Sequence, residues 1–230
     1  MGPMRLLLLR HGQTHGNTSG ALDTAIPGLD LTELGVRQAE AAARVLAAPD
    51  GLPPVDGIFV SPLVRTSQTA APLADALGMT PTILDGIREI AAGDYEMATD
   101  EYSILGYVGT VADWIEGRLD PRMSGSETGH EFLARYDDAV ATIAAGGHER
   151  ALIVSHGAAI RTWVANRVNG SAHHEKATEG FHNTACIELD GTPEDGWTVI
   201  SWSEDAIGGP LDGQSLDDET APDPTGGELE

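Results

Sequence analysis

Short, wholly apolar runs alternate with amphipathic stretches along this chain. Arg5 to Leu9 reads as a buried strand, and the polar run from Gly12 to Asp30 after it reads as a loop. Thr32 is placed to cap a helix whose apolar side is Val36, Ala39, Ala43, Val45 and Leu46, ending before Pro49. Gly57 to Val60 predicts a second strand ending at Ser61-Pro62, followed by a helix over Leu63 to Leu77 that Gly78 stops. Thr82 to Leu84 predicts a third strand, Glu131 to Ala145 a long helix, Ala151 to Ser155 a buried strand and Ala158 to Val168 another helix. Thr184 to Leu189 and Trp197 to Trp202 read as the last strands. Strands alternating with helices imply an α/β fold, a mostly parallel central sheet with helices on both faces. Residues 91–129 break the alternation, being rich in Gly and in aromatics such as Tyr95, Tyr102, Tyr107 and Trp114. They are expected to be either a lid-like insertion or a pair of short packing helices.

Composition narrows the picture. The chain has 230 residues and carries 36 acids against 13 cations, a formal charge of −23, and Lys176 is its one lysine. Such a balance excludes a nucleic-acid backbone or an anionic membrane as partner, because both require a cationic surface. Nine of the acids fall between Glu204 and Glu230, among Gly, Pro, Ser and Thr, in a stretch without Lys or Arg. That stretch cannot bury enough apolar surface to offset its ordering entropy and is expected to be a disordered tail, 204–230, after a single domain, 1–203. The lone Cys186 excludes an internal disulfide. With no secretory pattern and no membrane-length apolar run, the chain reads as cytoplasmic.

In open parallel sheets ligands bind beyond the carboxyl ends of the strands, so the residues that follow each strand are the candidates for chemistry. Arg10, His11 and Gly12 follow the first, Ser61 and then Arg65 the second, Glu89 the third, and His156 and Gly157 the fourth. Two histidines, two arginines and a carboxylate converging on one edge suit phosphoryl transfer. A neutral imidazole at His11 can attack phosphorus, and the planar forks of Arg10 and Arg65 match the charge spread over the phosphoryl oxygens. Asn17 and His156 add donors. Glu89 can protonate the leaving oxygen and then take a proton from water. So many cationic donors need no metal, and the sequence holds no evident oxygen-ligand cluster for one.

Arg10-His11-Gly12-Gln13-Thr14-x-x-Asn17 resembles the signature of the histidine phosphatase superfamily, in its phosphoglycerate-mutase-like branch. Further blocks follow in that family's order: Leu31-Thr32-x-x-Gly35-x-x-Gln38-Ala39, Ser61-Pro62-x-x-Arg65-x-x-x-Thr69-Ala70, Arg88-Glu89, and Ser155-His156-Gly157-x-x-Ile160-Arg161. The resemblance implies that His11 is the phosphorylated nucleophile, that Arg10, Asn17, Arg65 and His156 form the phosphate pocket, and that Glu89 is the proton donor. It also implies an extra donor in the Gly157 N–H, with Gln13 or Thr14 at the rim, and no cofactor. Two departures bear on substrate. Tyr95-Glu96-Met97 stands where the family often has Trp-Glu-Gly, and residues 19–30 lack the pattern of the glycolytic mutases.

These residues point to a metal-independent phosphatase hydrolysing small-metabolite phosphomonoesters through a phosphohistidine at His11. A cofactor-dependent phosphoglycerate mutase ranks second, since the second cationic clamp of a mutase is missing. A phosphoprotein phosphatase fits the central insertion poorly, and a non-catalytic phosphate-binding module would require a lost catalytic group. The expected partner is a small phosphorylated substrate, and a homodimer is compatible with the pattern. Arg161 is expected to pair with a structural carboxylate. His173, His174, Glu175 and His182 match no zinc spacing and read as a solvated loop. An i, i+4 helical pair of His11 and His15 is not expected, with Gly12 and Gly16 between and beside them.

Overall fold

A computed structural model describes residues 2–47, 51–169, 172–209 and 223–228. Six strands form one sheet in the order β3-β2-β4-β1-β5-β6: β1 (Met4–Arg10), β2 (Gly57–Val60), β3 (Thr82–Ile83), β4 (Arg150–Ser155), β5 (Cys186–Thr192) and β6 (Gly196–Ser203). The first four are mutually parallel, with Leu7 opposite Leu152 and Ile58 opposite the same residue from the other side. β5 and β6 return antiparallel along the β1 edge. The sheet is thus mostly parallel, as the alternation of elements predicts.

The apolar strands are buried on both faces because alternate side chains enter two cores. Leu7 and Leu9 of β1 pack with Ala42, Ala43 and Leu46 of α2 (Glu33–Ala47) and with Ala70 and Leu73 of α3 (Val64–Leu77). Leu6 and Leu8 face the larger core formed with α4 (Glu101–Ile115), α5 (Gly129–Ala145) and α6 (Gly157–Arg167). Thr32 caps α2 through its Oγ, which accepts from Gly35 N at 3.0 Å. Thr128 and Glu131 form a reciprocal capping box, so α5 starts two residues before the sequence pattern suggests.

Four expectations change. Residues 15–19 in the predicted loop make a short helix, α1 (His15–Ser19), because the Thr14 and Asn17 side chains satisfy the end groups of its single turn. Residues 101–115 form one continuous helix. Tyr107, Val111, Trp114 and Ile115 lie in the larger core, so this part of 91–129 packs as one helix and not as a pair of short ones. The predicted loop around His173 is a helix, α7 (Ala172–Thr178), although the side chains of His173 and His174 lie outside the described residues. The expected disordered tail is placed at 204–209 and again at 223–228, where buried Arg10 and Arg161 supply partners that its own composition lacks. The remainder of that expectation lies outside the described residues. Among those described, no helix is long and apolar enough to cross a membrane.

Candidate active site

The carboxyl ends of β1, β2 and β4 and the loop after β3 meet at one edge of the sheet and bring together the five groups singled out from the sequence. Arg10, His11, Arg65, Glu89 and His156 are each no more than 2% exposed. Burying that many ionisable groups is costly unless each has a partner or a purpose. His11 hangs from the sheet by backbone bonds, its N–H donating to Ser155 O at 3.1 Å. Its Nδ1 lies 2.8 Å from Gly12 O; only a protonated Nδ1 can donate there, which leaves the lone pair on Nε2. Burial, with the charges of Arg65 and Arg10, holds the His11 pKa well below the usual imidazole value of 6.5, against the Gly12 hydrogen bond that raises it. The ring is therefore neutral at physiological pH. Gly12 has to be glycine because a Cβ there would stand 2.5 Å from Gly35 O, where the start of α2 presses on the loop.

His156 stands at the residue before α6 without capping it through its side chain, its ring centroid 5.2 Å from that of His11 and nearly edge-on. Its Nε2 sits 2.7 Å from the Ser61 hydroxyl, which already accepts from Leu63 N. The Thr66 hydroxyl donates to the carbonyls of Ser61 and Leu63 and lies 3.3 Å from the Ser61 hydroxyl. Nδ1 of His156 is a buried atom without a hydrogen-bond partner among the described residues. The Nε atoms of Arg10 and Arg65 are buried and unpartnered in the same way. Two such guanidinium donors, beside the two histidine rings, are what an anion with several oxygens would satisfy.

Arg65 projects from the first turn of α3 and is held by Asp23, through the carboxylate at 3.3 Å and the carbonyl at 2.9 Å. Asp23 sits in a loop that Glu96 braces by accepting from Thr24 N at 2.9 Å and Ala25 N at 3.0 Å. Asp23→Asn leaves the buried Arg65 charge unbalanced and is expected to cost about 3–5 kcal/mol of stability. Saturating inorganic phosphate should restore more of the melting temperature in this variant than in the parent. Equal phosphate-induced shifts in a thermal melt would rule that account out.

Glu89 lies at the amino end of α6, where Oε1 accepts from Ile90 N at 2.8 Å and Ala159 N at 2.9 Å and Oε2 takes one long contact, 3.4 Å, from Ala158 N. Burial raises its pKa above the usual carboxylate value, outweighing these backbone donors and the Arg65 and Arg10 charges. Arg135 of α5 fastens this segment by donating to the carbonyls of Gly86, Arg88 and Glu89 while paired with Glu127 at 2.6 Å.

The remaining expectations divide. Asn17 donates from Nδ2 to Asp223 Oδ1 at 2.9 Å. Gln13 and Thr14 are buried braces instead of rim residues: the Gln13 side chain accepts from Thr32 Oγ and Thr14 caps α1. Gly157 faces the chain's own Thr225 O, to which a Cβ would come within 2.5 Å. Among the described residues Arg161 pairs with no carboxylate; it donates to the carbonyls of Gly157, Glu179, Thr225 and Gly227. Asp23, Arg135 and Asn183 escaped the sequence reading. Asn183 donates to His11 O at 3.2 Å from a loop with no helical or strand period to mark it. For Asp23 a usable signal existed, one of two acids in a Gly- and Pro-containing loop close to the motif.

The profile of the histidine phosphatase superfamily (branch 1) matches residues 6–205. PE-PGRS family protein PE_PGRS11 of Mycobacterium tuberculosis is 37% identical over 217 residues, 87% of this chain, although the chain spans only 36% of that protein's length. Glucosyl-3-phosphoglycerate phosphatase of Mycolicibacterium vanbaalenii is 30% identical, with 88% of this chain and 95% of that protein aligned. The solved native structure of a mycobacterial glucosyl-3-phosphoglycerate phosphatase superposes with a TM-score of 0.71 at 26% identity, covering 87% of this chain and 99% of that one.

Proposed function

Because the chain belongs to the histidine phosphatase superfamily (branch 1) and is an enzyme of that hydrolase type, we propose that it hydrolyses small-metabolite phosphomonoesters by way of a phosphohistidine on Nε2 of His11, with no metal. The Nδ1 to Gly12 O hydrogen bond carries this reading, because it assigns the attacking lone pair to the nitrogen that faces the pocket. The ester phosphate lies between the Arg10 and Arg65 guanidiniums, with Asn17 Nδ2 and His156 Nδ1 as further donors. These charges are fixed before the reaction, where they act on the oxygens that gain charge in the transition state.

His11 Nε2 attacks phosphorus as the P–O bond to the organic group breaks. Glu89, whose pKa burial raises, gives its proton to the leaving oxygen from Oε2, the less committed of its two oxygens. The resulting carboxylate then takes a proton from water, whose oxygen attacks phosphorus while the P–N bond breaks. Inorganic phosphate leaves and both residues return to their starting states.

Incubation with a 32P-labelled ester followed by alkaline quench should leave label on His11, and EDTA should leave the rate unchanged. Loss of activity in EDTA, or label absent from the protein during turnover, would defeat the mechanism. The name of the Mycolicibacterium relative supports including glucosyl-3-phosphoglycerate in a panel with sugar phosphates, phosphoglycerates and phosphopeptides. Turnover that depends on 2,3-bisphosphoglycerate would replace hydrolysis by mutase chemistry.

A further inference from the structure

The segment 223–228 enters the phosphate pocket with a carboxylate. One oxygen of Asp223 lies 2.5 Å from Nη2 of Arg10, and the other accepts from Nδ2 of Asn17 at 2.9 Å. Both donors are assigned above to the phosphoryl group. A carboxylate and a phosphoryl group present the same feature to them, two oxygens sharing negative charge. Behind Asp223 the segment is held by its backbone. Thr225 O accepts from Arg161 Nη2 at 3.1 Å and Gly227 O from Arg161 Nη1 at 2.8 Å, while Gly226 O accepts from Phe181 N at 2.9 Å. A bond from Gly227 N to Asp223 O, 2.9 Å, closes the turn. The fit leaves no room for side chains on the inner face: a Cβ on Gly226 would collide with the Arg10 guanidinium, and one on Gly157 with Thr225 O.

We propose that this segment is an intramolecular competitor, in which Asp223 stands in for a phosphoryl group and has to leave Arg10 and Asn17 before a substrate can bind. Burial raises the Asp223 pKa, but Arg10 and the hydrogen bonds of Thr225 and Asn17 outweigh it and hold the group below its usual value, so it is charged at neutral pH. The carboxylate leaves Arg10 Nε, Arg65 Nε and His156 Nδ1 unpartnered. A tetrahedral dianion has further oxygens to offer those atoms, so phosphate is expected to displace Asp223 where a monocarboxylate is not. Because the competitor belongs to the same chain, its effect is that of a fixed local concentration, independent of how much enzyme is present. Substrates are thereby selected for the phosphate dianion, and entry of substrate and release of the segment become one step.

The proposal rests on the phosphate pocket assigned above and is tested with the full chain, Asp223→Asn, and a chain ended at Pro222. Asp223→Asn removes the charge and keeps the carbonyl contacts to Arg161 and Phe181, so it serves even if the shortened chain fails to fold. Binding of inorganic phosphate and orthovanadate, followed by calorimetry, should tighten about tenfold in both variants, the scale of one lost charge-assisted contact. On a phosphomonoester KM should fall by a similar factor with kcat undiminished. A synthetic peptide of residues 221–230 should inhibit the shortened chain competitively. Unchanged or weaker phosphate binding would overturn the proposal, and a fall in kcat with KM unchanged would make the segment a clasp that positions Arg10. If phosphate binding tightens but no ester is turned over, the proposed function fails and the competitor stands. If esters are hydrolysed and neither variant alters KM or phosphate affinity, the competitor alone fails.

Discussion

His11→Ala is expected to lose turnover by about ten-thousandfold or more while it still folds and binds phosphate. Loss of a nucleophile is of that order where the surrounding charges remain to give residual catalysis. The cations that hold the anion, Arg10 and Arg65, are anchored by Phe181 O and Asp23 and not by His11, so the pocket outlives the substitution. Single-turnover kinetics with a labelled ester gives the rate and the trapped intermediate together, and a calorimetric titration with phosphate gives the binding. A His11→Ala enzyme that kept its kcat would remove the covalent route altogether.

Glu89→Gln should lower kcat by roughly 10²- to 10⁴-fold on alkyl phosphates, the range typical of a lost general acid. The loss should be much smaller on aryl phosphates, whose leaving oxygens need no proton. Two opposite pKa displacements set the pH profile. Burial raises the Glu89 pKa, so the acid form needed for the first step is present at low pH and is lost as pH rises through that raised value. Burial and the two arginines lower the His11 pKa well below 6.5, so the nucleophile is lost only when pH falls well below that point. kcat on an alkyl ester should therefore hold a plateau into the acid range and decline on the alkaline side. In Glu89→Gln the alkaline decline should vanish, because the titrating acid is gone. An alkaline limb that survives in Glu89→Gln would assign the proton to another group.

The proposed catalytic set is legible in the sequence because it follows strand ends. A parallel sheet puts the carboxyl ends of its strands on one edge, so a residue that ends an apolar run is already near the others that do so. Arg10, His11, Ser61, Glu89 and His156 were found in this way, and Arg65 by its one-turn offset into α3. The length of α4 was hidden because Gly106 and Gly109 interrupt its pattern, although the core contacts of Tyr107, Val111 and Trp114 hold the helix continuous.

Sequence by itself determined which side chains gather at the proposed site and which sheet edge bears them, since both follow from local pattern and backbone direction. Tertiary structure decided how those side chains are held: Asp23 against Arg65, Arg135 under the Glu89 segment, Ser61 orienting His156, and Asp223 across Arg10. Such pairings join positions as far apart as residues 10 and 223, and no periodicity within a segment encodes them. Composition judged the acidic tail by what it could bury alone. Its placement at 223–228 depends on buried cations elsewhere in the fold, whose cost in isolation is offset when the segment meets them.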